Sequence, residues 1–386
     1  MPLAHFVLAM AMLSLAAGCA GLPAPGPPAW PLGAVYAPAQ DTMLTPGQIA
    51  ASLDQAQVVI VGETHDHPGH HAVQLDFLKK MHASGRPLAV GVEWLDAAAQ
   101  PACDEFSAGR IDLQQFVQRV DWEHAWGFPL ELYAPILEYV AANRLPLIAL
   151  NAPLASVRQI ARQGLGSLSP AQRAQLAPAL DLDDPAYREM IAGQFAMHAV
   201  SGERADNFFA AQVARDDTMA HRLAQALAPW PDSGRRAVVF TGSGHLVHGL
   251  GLPPRIARRL PGAHIITVLP VEAGQAAAMA RQEGGRPPAD WLAVTTPAPP
   301  RPPRLGVVLK PQAEGLMVER VLPMSAASQA GIQPGDVLTE LDGRPLKQTK
   351  DIHDAIKRDP LGSHRYGLTR GGQTLWLEIK LTADKP

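Results

Sequence analysis

Four acidic and imidazole side chains follow closely on short apolar segments of the sequence. They are Glu63, His65, Glu93 and His245. Carboxylates and imidazoles can hold a divalent metal ion, and they can also transfer protons or polarise a water for hydrolysis. The same groups form buried polar networks that tie loops to a sheet. No two of them lie four residues apart on one helix, so the spacing selects no particular metal; His65, Glu93 and His245 are the predicted ligand set.

The apolar segments that precede these residues predict a parallel sheet. Residues 58–61, 88–92, 147–150 and 238–241 are short apolar runs separated by helical patterns, as expected of buried parallel strands. The carboxyl ends of parallel strands lie at one edge of a sheet, where ligands of α/β proteins bind. We therefore expect the four side chains, together with Asn151 after the third segment, to meet at one site.

The rest of the chain predicts a helical insertion and a second, smaller domain. Residues 152–237 carry helical runs and no strand pattern, and such a long insertion at a sheet edge is placed to form a lid or a pocket wall. Further strands are expected at 264–269 and 291–295, and the Pro-rich residues 297–304 predict an extended spacer. The fold class is a parallel-sheet α/β domain with a large helical insertion, plus a small β-rich domain at 305–382.

Two classes of function find no support in composition or motif. Lys and Arg number 33 against 36 Asp and Glu, so no basic field predicts a nucleic-acid partner. Ser243 lies between Thr241 and His245 rather than in a Gly-x-Ser-x-Gly context, so a nucleophile elbow is not expected.

The segment SAASQAGIQPGDVLTELDG, residues 325–343, resembles a bacterial PDZ domain of the kind attached to periplasmic proteases. The resemblance implies that an extended peptide or a protein C-terminus binds by strand addition, with the helix near 351–357 as one wall of the groove. By the same resemblance, the carboxylate is held by the backbone amides of Leu305, Gly306, Val307 and Val308. The alternative is a PDZ domain that packs against its own first domain and binds nothing.

Five sequence blocks occur in order in the first domain: VGETHDHPGHHAVQ at 61–74, GVEW at 91–94, LNAP at 150–153, RDDTMA at 215–220 and GSGH at 242–245. Across residues 40–296 they resemble the ChaN family of bacterial haem-binding lipoproteins, which is related to Tiki-type and erythromycin-esterase-like proteins. The resemblance implies that haem or an iron porphyrin is bound for iron acquisition at the cell surface.

The same resemblance implies a tyrosine ligand for the haem. Tyr187 in the helical insertion, near His198, is the first candidate, and Tyr133 is the second. A homodimer is left open by the sequence.

The first residues resemble a bacterial lipoprotein signal peptide. Residues 5–17 are largely apolar and lead into small residues directly before Cys19. By this resemblance residues 1–18 are cleaved, the thiol of Cys19 is acylated with palmitate as a membrane anchor, and residues 19–39 form a flexible tether. The next residue is Ala20 rather than an acidic residue, which favours the outer membrane of the cell envelope. An ordinary secretory signal is the alternative.

Three functions follow from these observations. The leading one is an outer-membrane-anchored lipoprotein that binds haem and carries a peptide-binding PDZ module. The second is a metal-dependent hydrolase, such as a Tiki-like peptidase, with a divalent metal ion in place of haem. Its catalytic residues would be Glu63, His65, Glu93 and His245. The third is a scaffold protein whose only activity is PDZ binding.

Overall fold

The structure, a computed structural model, describes residues 30–196, 202–228, 234–280, 285–299, 303–322 and 325–381. The predicted lipidation site Cys19 and the proposed haem-site residue His198 lie outside these ranges. Within the ranges, no helix has both the length and the apolar character needed to cross a bilayer.

The first domain is built on one eight-stranded sheet. Its strands are β1 (Val35–Ala37), β2 (Thr42–Met43), β3 (Val58–Glu63), β4 (Leu88–Asp96), β5 (Leu147–Asn151), β6 (Arg236–Gly242), β7 (Ile265–Glu272) and β8 (Trp291–Thr295). Their order across the sheet is β2-β1-β8-β7-β3-β6-β4-β5. The six strands from β8 to β5 are parallel, which confirms the parallel-sheet α/β prediction.

The sheet also carries two antiparallel strands that the sequence pattern does not reveal. Strand β1 pairs antiparallel with both β8 and β2. These two strands have three and two residues, which is too short a run for apolar periodicity to be recognised. The sheet is therefore mixed rather than purely parallel.

The connections that leave β3 and β6 run in opposite directions across the sheet. The two strands are parallel neighbours, and Glu63 lies opposite Gly242 in Cα register. The chain leaving β3 returns as β4 beyond β6, whereas the chain leaving β6 returns as β7 beyond β3. In open α/β sheets, ligands bind in the crevice outside the strand ends at such a switch point. The topology itself therefore places a binding crevice beside Glu63 and Gly242.

Helices cover both faces of this sheet. They are α1 (Pro46–Gln55), α2 (Pro68–His82), α3 (Gln100–Ser107), α4 (Leu113–Arg119), α5 (Trp122–Ala125), α6 (Leu130–Ala142), α7 (Leu154–Gln163), α8 (Pro170–Arg173), α9 (Pro185–Ala196), α10 (Glu203–Leu227), α11 (Leu252–Arg259) and α12 (Ala273–Ala280). One core packs α2 and α6 against Val59 and Val61, and a second packs α10 and α11 against Val58 and Ile60. Strand β3 is buried on both faces, which explains its continuous apolar sequence.

Helices α7 to α10 form the predicted insertion between β5 and β6. Helix α10 is 25 residues long and packs against β5, α7 and α11. One apolar stripe of this helix, which includes Phe209, Val213, Ala220 and Leu223, is buried. The insertion therefore adds a helical layer beside the strand ends.

The second domain is an antiparallel sheet with two helices. Its elements are β9 (Val307–Gln312), β10 (Gly315–Val321), α13 (Ala326–Gln329), β11 (Val337–Leu341), β12 (Arg344–Pro345), α14 (Thr349–Arg358), β13 (Ser363–Arg370) and β14 (Gln373–Lys380). The strand order is β14-β13-β11-β10-β9, with β12 beside β11. Its own apolar core includes Leu316, Leu338, Ile356 and Tyr366. The predicted small β-rich domain is confirmed.

Candidate functional site

Glu63, the last residue of β3, is the centre of the first polar cluster at the strand ends. Its carboxylate is buried, with Oε1 2.6 Å from Nδ1 of His65. The Tyr133 hydroxyl donates to the same oxygen at 3.3 Å. The other oxygen, Oε2, accepts from Nε2 of Gln74 at 2.8 Å and lies 3.3 Å from Nδ1 of His71. Donors from α2 and α6 therefore hold this carboxylate in one orientation.

The imidazole of His65 lies between an aromatic pair and a glycine. Its ring centroid is 4.8 Å from that of Trp126 and 5.0 Å from that of Phe128. On another side, a Cβ added to Gly242 would lie 3.0 Å from Cε1 and 3.3 Å from Nε2 of His65, and 3.6 Å from Oε2 of Glu93. The imidazole therefore packs against Gly242 at the end of β6, at a distance that a side chain at position 242 would not allow.

The charge state of His65 depends on its carboxylate neighbours. Burial, the largest single influence, lowers its pKa, but the hydrogen bond to Glu63 and the negative charges of Glu93 and Glu63 together raise it above the ordinary value. A carboxylate only accepts hydrogen bonds, so Nδ1 of His65 is the donor in this pair. In the neutral ring, the lone pair is therefore on Nε2.

Glu93, on β4, is the centre of the second polar cluster and is fully buried. Its Oε2 accepts from the hydroxyl of Thr241 and from the main-chain N–H of Gly242, both at 2.6 Å. Its Oε1 pairs with the guanidinium of Arg215 and lies 3.3 Å from Nε2 of His245. Burial raises the pKa of Glu93, but the positive charges of His245 and Arg215 hold it well below its usual value.

His245 lies in a short 3-10 turn after β6 and is bound by two carboxylates. Its Nδ1 is 2.5 Å from Oδ1 of Asp216, and its Nε2 faces Glu93. The other oxygen of Asp216 accepts from the Tyr187 hydroxyl at 2.5 Å. Burial lowers the pKa of His245, but the charges of Glu93 and Asp216 raise it to about 9. The ring is therefore an imidazolium at neutral pH.

Asn151, at the end of β5, lies beside Glu93, as predicted for a residue that follows the third apolar segment. Its Nδ2 donates to the main-chain oxygen of Glu93 at 2.8 Å, and its Oδ1 accepts from Nε of Arg215 at 3.3 Å. The strand pattern does not reveal Arg215 and Asp216, which come from α10. The sequence does contain one indication of their role: they are charged residues in a helix that is otherwise apolar on its buried face, and a buried charge needs a partner.

The predicted divalent-metal ligands do not fit a metal in this structure. In the described ranges, no group of three or more His, Cys, Asp or Glu side chains is arranged to hold a metal ion. Both carboxylate oxygens of Glu93 accept from protein donors, and both ring nitrogens of His245 face carboxylates. Of the predicted set, only His65 has a ring nitrogen, Nε2, that makes no hydrogen bond to the described residues.

The two tyrosines predicted as haem ligands are fully buried. Tyr187 donates to Asp216, and Tyr133 donates to Glu63 and, at 3.1 Å, to the main-chain oxygen of His65. Burial and the nearby carboxylates raise the pKa of both phenols. In this structure both hydroxyls are bonded to protein groups, and the role of either tyrosine as a haem ligand stays a prediction.

A cavity of about 340 Å³ opens on the β7 side of the crevice. Polar residues of its lining include Thr64, His67, His70 and Ser243, and apolar ones include Leu269, Val271 and Met279. Its volume is in the range of small-molecule sites, about 300–1,000 Å³. The crevice therefore combines buried charge on the β4 side with an apolar wall on the β7 side.

The predicted peptide site of the second domain has a free strand edge. Strand β9 ends the sheet and pairs only with β10 among the described strands. The carbonyl oxygens of Leu305 and Gly306, just before β9, accept from the main-chain N–H groups of Ala327 and Leu322, both at 2.9 Å. Helix α14 covers 349–358, where the second groove wall is predicted. A fixed loop and an unpaired edge are what strand addition requires.

Comparison with known proteins identifies both domains. A family model described as haem-binding uptake, Tiki superfamily, ChaN matches residues 49–256, more than half of the 386-residue chain. A PDZ family model matches residues 303–381. The molecule is thus an α/β ligand-binding domain joined to a peptide-binding module. The chain belongs to the ChaN family and carries a PDZ domain.

Curated relatives match parts of the chain. It is 27 % identical over 263 residues to Protein RETICULATA-RELATED 5, chloroplastic, of Arabidopsis thaliana, covering 61 % of this chain and 34 % of that protein. It is 35 % identical over 68 residues to the periplasmic pH-dependent serine endoprotease DegQ of Escherichia coli (strain K12), covering 17 % of this chain and 15 % of that protein. The chain therefore spans about a third or less of the length of these relatives.

A solved structure described as cofacial heme binding to ChaN of Campylobacter jejuni matches with a TM-score of 0.53 and 15 % identity. The match covers 68 % of this chain and 97 % of that chain. At this level of identity, the two proteins share the fold.

Proposed function

We propose that the first domain binds haem or an iron porphyrin, and that it does so for iron acquisition. The observation that carries the proposal is the family match over residues 49–256, which spans both polar clusters at the strand ends. The solved relative, described by its cofacial heme binding, supports the same ligand class.

The chemistry of the crevice supports a porphyrin ligand. A porphyrin is a flat apolar ring with polar edges, and sites for such ligands are mostly apolar with a few fixed polar groups. Trp126 and Phe128 supply aromatic surface beside His65, and Leu269 and Met279 supply an apolar wall on the β7 side. Both walls adjoin the strand ends, so one ligand would contact apolar and charged groups together.

The PDZ domain gives the second part of the proposed function. It binds an extended peptide or a protein C-terminus along β9, with the loop at 305–308 near the terminal carboxylate. The unpaired edge of β9 and the PDZ match over 303–381 support this proposal. The partner would be a protein of the cell envelope.

We propose that the protein is located at the outer membrane and is anchored there by a lipid on Cys19. The support is the apolar run that leads into small residues directly before this cysteine. Feeding labelled palmitate to the source bacterium should label the protein, and Cys19→Ser should abolish the label. An unlabelled protein found free of the membrane would contradict the anchor.

Hemin titration tests the haem proposal directly. The chain from residue 19 onward, with Cys19→Ser to prevent acylation, should give a saturable change in the Soret band at micromolar protein. Light scattering with and without hemin would show whether a homodimer forms. The absence of any saturable change would contradict the proposal.

A hydrolase is the second candidate, favoured by one observation. The carboxylate of Glu63 lies 2.6 Å from Nδ1 of His65, and such a pair can act as a general base. Incubation with a peptide pool would then give cleavage that His65→Ala abolishes. Intact peptides with the wild-type protein would remove this candidate.

A further inference from the structure

The outer edge of β9 presents main-chain groups from alternate residues. Paired residues of an antiparallel ladder alternate between those that exchange hydrogen bonds with each other and those whose groups point away. Val318 of β10 lies opposite Leu309 of β9. Its N–H donates to the main-chain oxygen of Asp336 at 2.7 Å, and its oxygen accepts from the N–H of Gly335 at 2.8 Å, both on the β11 side. Leu309 is therefore in a pair without hydrogen bonds, and its own N–H and C=O point to the open edge.

The same alternation gives the direction of the other residues of β9. The bulge in the β9–β10 pair adds its extra residue to β10, so the period of β9 is unbroken. Counting by two from Leu309, the main-chain groups of Val307 and Pro311 also point to the open edge. The oxygen of Gly306 agrees with this count, because it points the other way and accepts from the N–H of Leu322 at 2.9 Å.

Pro311 differs from the other two edge-facing residues. Proline has no main-chain N–H, and its ring carbon Cδ lies where that hydrogen would be. Pro311 is exposed, and no described residue hydrogen-bonds to the edge-facing groups of Val307 and Leu309. The edge therefore offers two complete donor–acceptor positions, followed by a position that blocks the close approach of another strand. Prolines on edge strands limit pairing with other chains in this way.

An added peptide would meet these three positions in order from its C-terminus. Val307 is the first edge-facing residue of β9 and belongs to the loop proposed to lie near the terminal carboxylate, so the terminal residue of the peptide would lie beside it. In an antiparallel ladder, the third-last residue then lies beside Leu309 and the fifth-last beside Pro311. The third-last residue can exchange two hydrogen bonds with Leu309. The fifth-last residue finds no N–H at Pro311 for its own oxygen.

We infer that Pro311 ends the peptide ladder on β9, so that the PDZ domain recognises only the last four residues of a protein C-terminus. This inference rests on the proposed peptide-binding function and narrows the class of partner. Four extended residues span about 14 Å, at about 3.4 Å per residue. A folded protein whose free C-terminus protrudes by that length is a sufficient partner, and a longer disordered tail gains no further main-chain pairing.

A peptide length series would test the inference on the chain from residue 19 onward, carrying Cys19→Ser. The best binder from a library of eight-residue peptides with free C-termini supplies the last four residues of two acetylated probes, one of four residues and one extended to eight with alanines. Measured by competition in fluorescence polarisation, the two probes should bind this background protein within about twofold of each other, because the extension adds no net hydrogen bond. Pro311→Ala supplies the missing N–H. It should bind the eight-residue probe about 2–10-fold more tightly, the gain of one net hydrogen bond, and the four-residue probe unchanged.

Pro345→Ala is the matched control, because Pro345 is an exposed strand proline of the same domain that pairs with Glu340 of β11 rather than facing the β9 edge. It should change neither affinity. If no library peptide binds the background protein, the proposed peptide binding and the inference are both wrong. If peptides bind, a larger gain on extension in the background protein, or no gain for the eight-residue probe in Pro311→Ala, would overturn the inference alone. The background length series needs no variant, so it decides the question even if Pro311→Ala proves unfolded by circular dichroism.

Discussion

Oδ1 of Asp216 lies 2.5 Å from Nδ1 of His245, so a residue of the helical insertion is bonded to a residue at the end of β6. Tyr187, also in the insertion, donates to the second oxygen of Asp216. The insertion is therefore joined to the strand ends through buried charged groups. Of the two roles that its position suggests, this arrangement favours a fixed wall over a lid.

Removal of the Asp216 carboxylate should destabilise the first domain. Asp216→Ala leaves the His245 imidazolium with one carboxylate partner instead of two, and loss of a partner in a buried ion pair costs about 3–5 kcal/mol. The free energy of unfolding from urea titration would measure this. Asp206→Ala is the matched control on the same helix: its pair with Arg188 is 67 % exposed at the aspartate, so its loss should cost less than about 1 kcal/mol. Equal effects of the two variants would contradict the argument.

The stability of the first domain should fall as pH rises above neutral. Folding raises the pKa of His245 from 6.5 to about 9. The folded state therefore holds a proton that the unfolded state releases, so this stabilisation is complete below pH 6.5 and is lost as pH rises through 9. The loss is at most about 3–4 kcal/mol, since one pKa unit corresponds to about 1.4 kcal/mol. Urea midpoints between pH 6 and 10 would show it, and His245→Gln should flatten the profile.

A methyl group at position 242 should disturb His65 without straining the backbone. Gly242 has φ −56° and ψ 140°, which any residue can adopt, but its Cβ would lie 3.0 Å from the His65 ring. Gly242→Ala should therefore displace the His65 ring and lower the free energy of unfolding by about 1–3 kcal/mol, as an extra methyl group in a filled interior does. Gly244→Ala is the control, because a Cβ there meets no atom within 4 Å. A free energy of unfolding in Gly242→Ala equal to that of the control would show that the ring does not need this space.

The loop before β9 should tolerate no side chain at position 306. Gly306 has φ +81°, and a Cβ there would lie 2.2 Å from Cβ of Ser325. Gly306→Ala should therefore displace the loop and abolish binding of a peptide library with free C-termini, measured by fluorescence polarisation. Gly372→Ala is the matched control: its φ is also +81°, but its Cβ would meet no atom within 4 Å. Equal losses in both variants would assign the effect to backbone strain alone.

C-terminally amidated peptides should bind weakly to the wild type, because the terminal carboxylate is what the loop is proposed to hold.

The sequence by itself determines that the polar strand-end residues meet. Buried parallel strands are continuous apolar runs, and their carboxyl ends share one edge, so the proximity of Glu63, His65, Glu93 and His245 follows from local pattern alone. The PDZ domain can also be predicted from the sequence, because its motif at residues 325–343 is contiguous. The short strands β1 and β2 cannot be predicted from the sequence, because a run of two or three residues is too short to show an apolar periodicity.

Only the tertiary structure decides which of these residues is available to a ligand. Arg215 and Asp216 come from α10 and neutralise Glu93 and His245, a pairing between residues 122 and 29 positions apart that no local pattern encodes. The same packing buries Tyr133 and Tyr187 against carboxylates and leaves the His65 side chain partly exposed. A buried charge is stable only beside an oppositely charged or hydrogen-bonding group, and the fold supplies that group from a distant part of the chain. Its role therefore depends on long-range packing rather than on its neighbours in sequence.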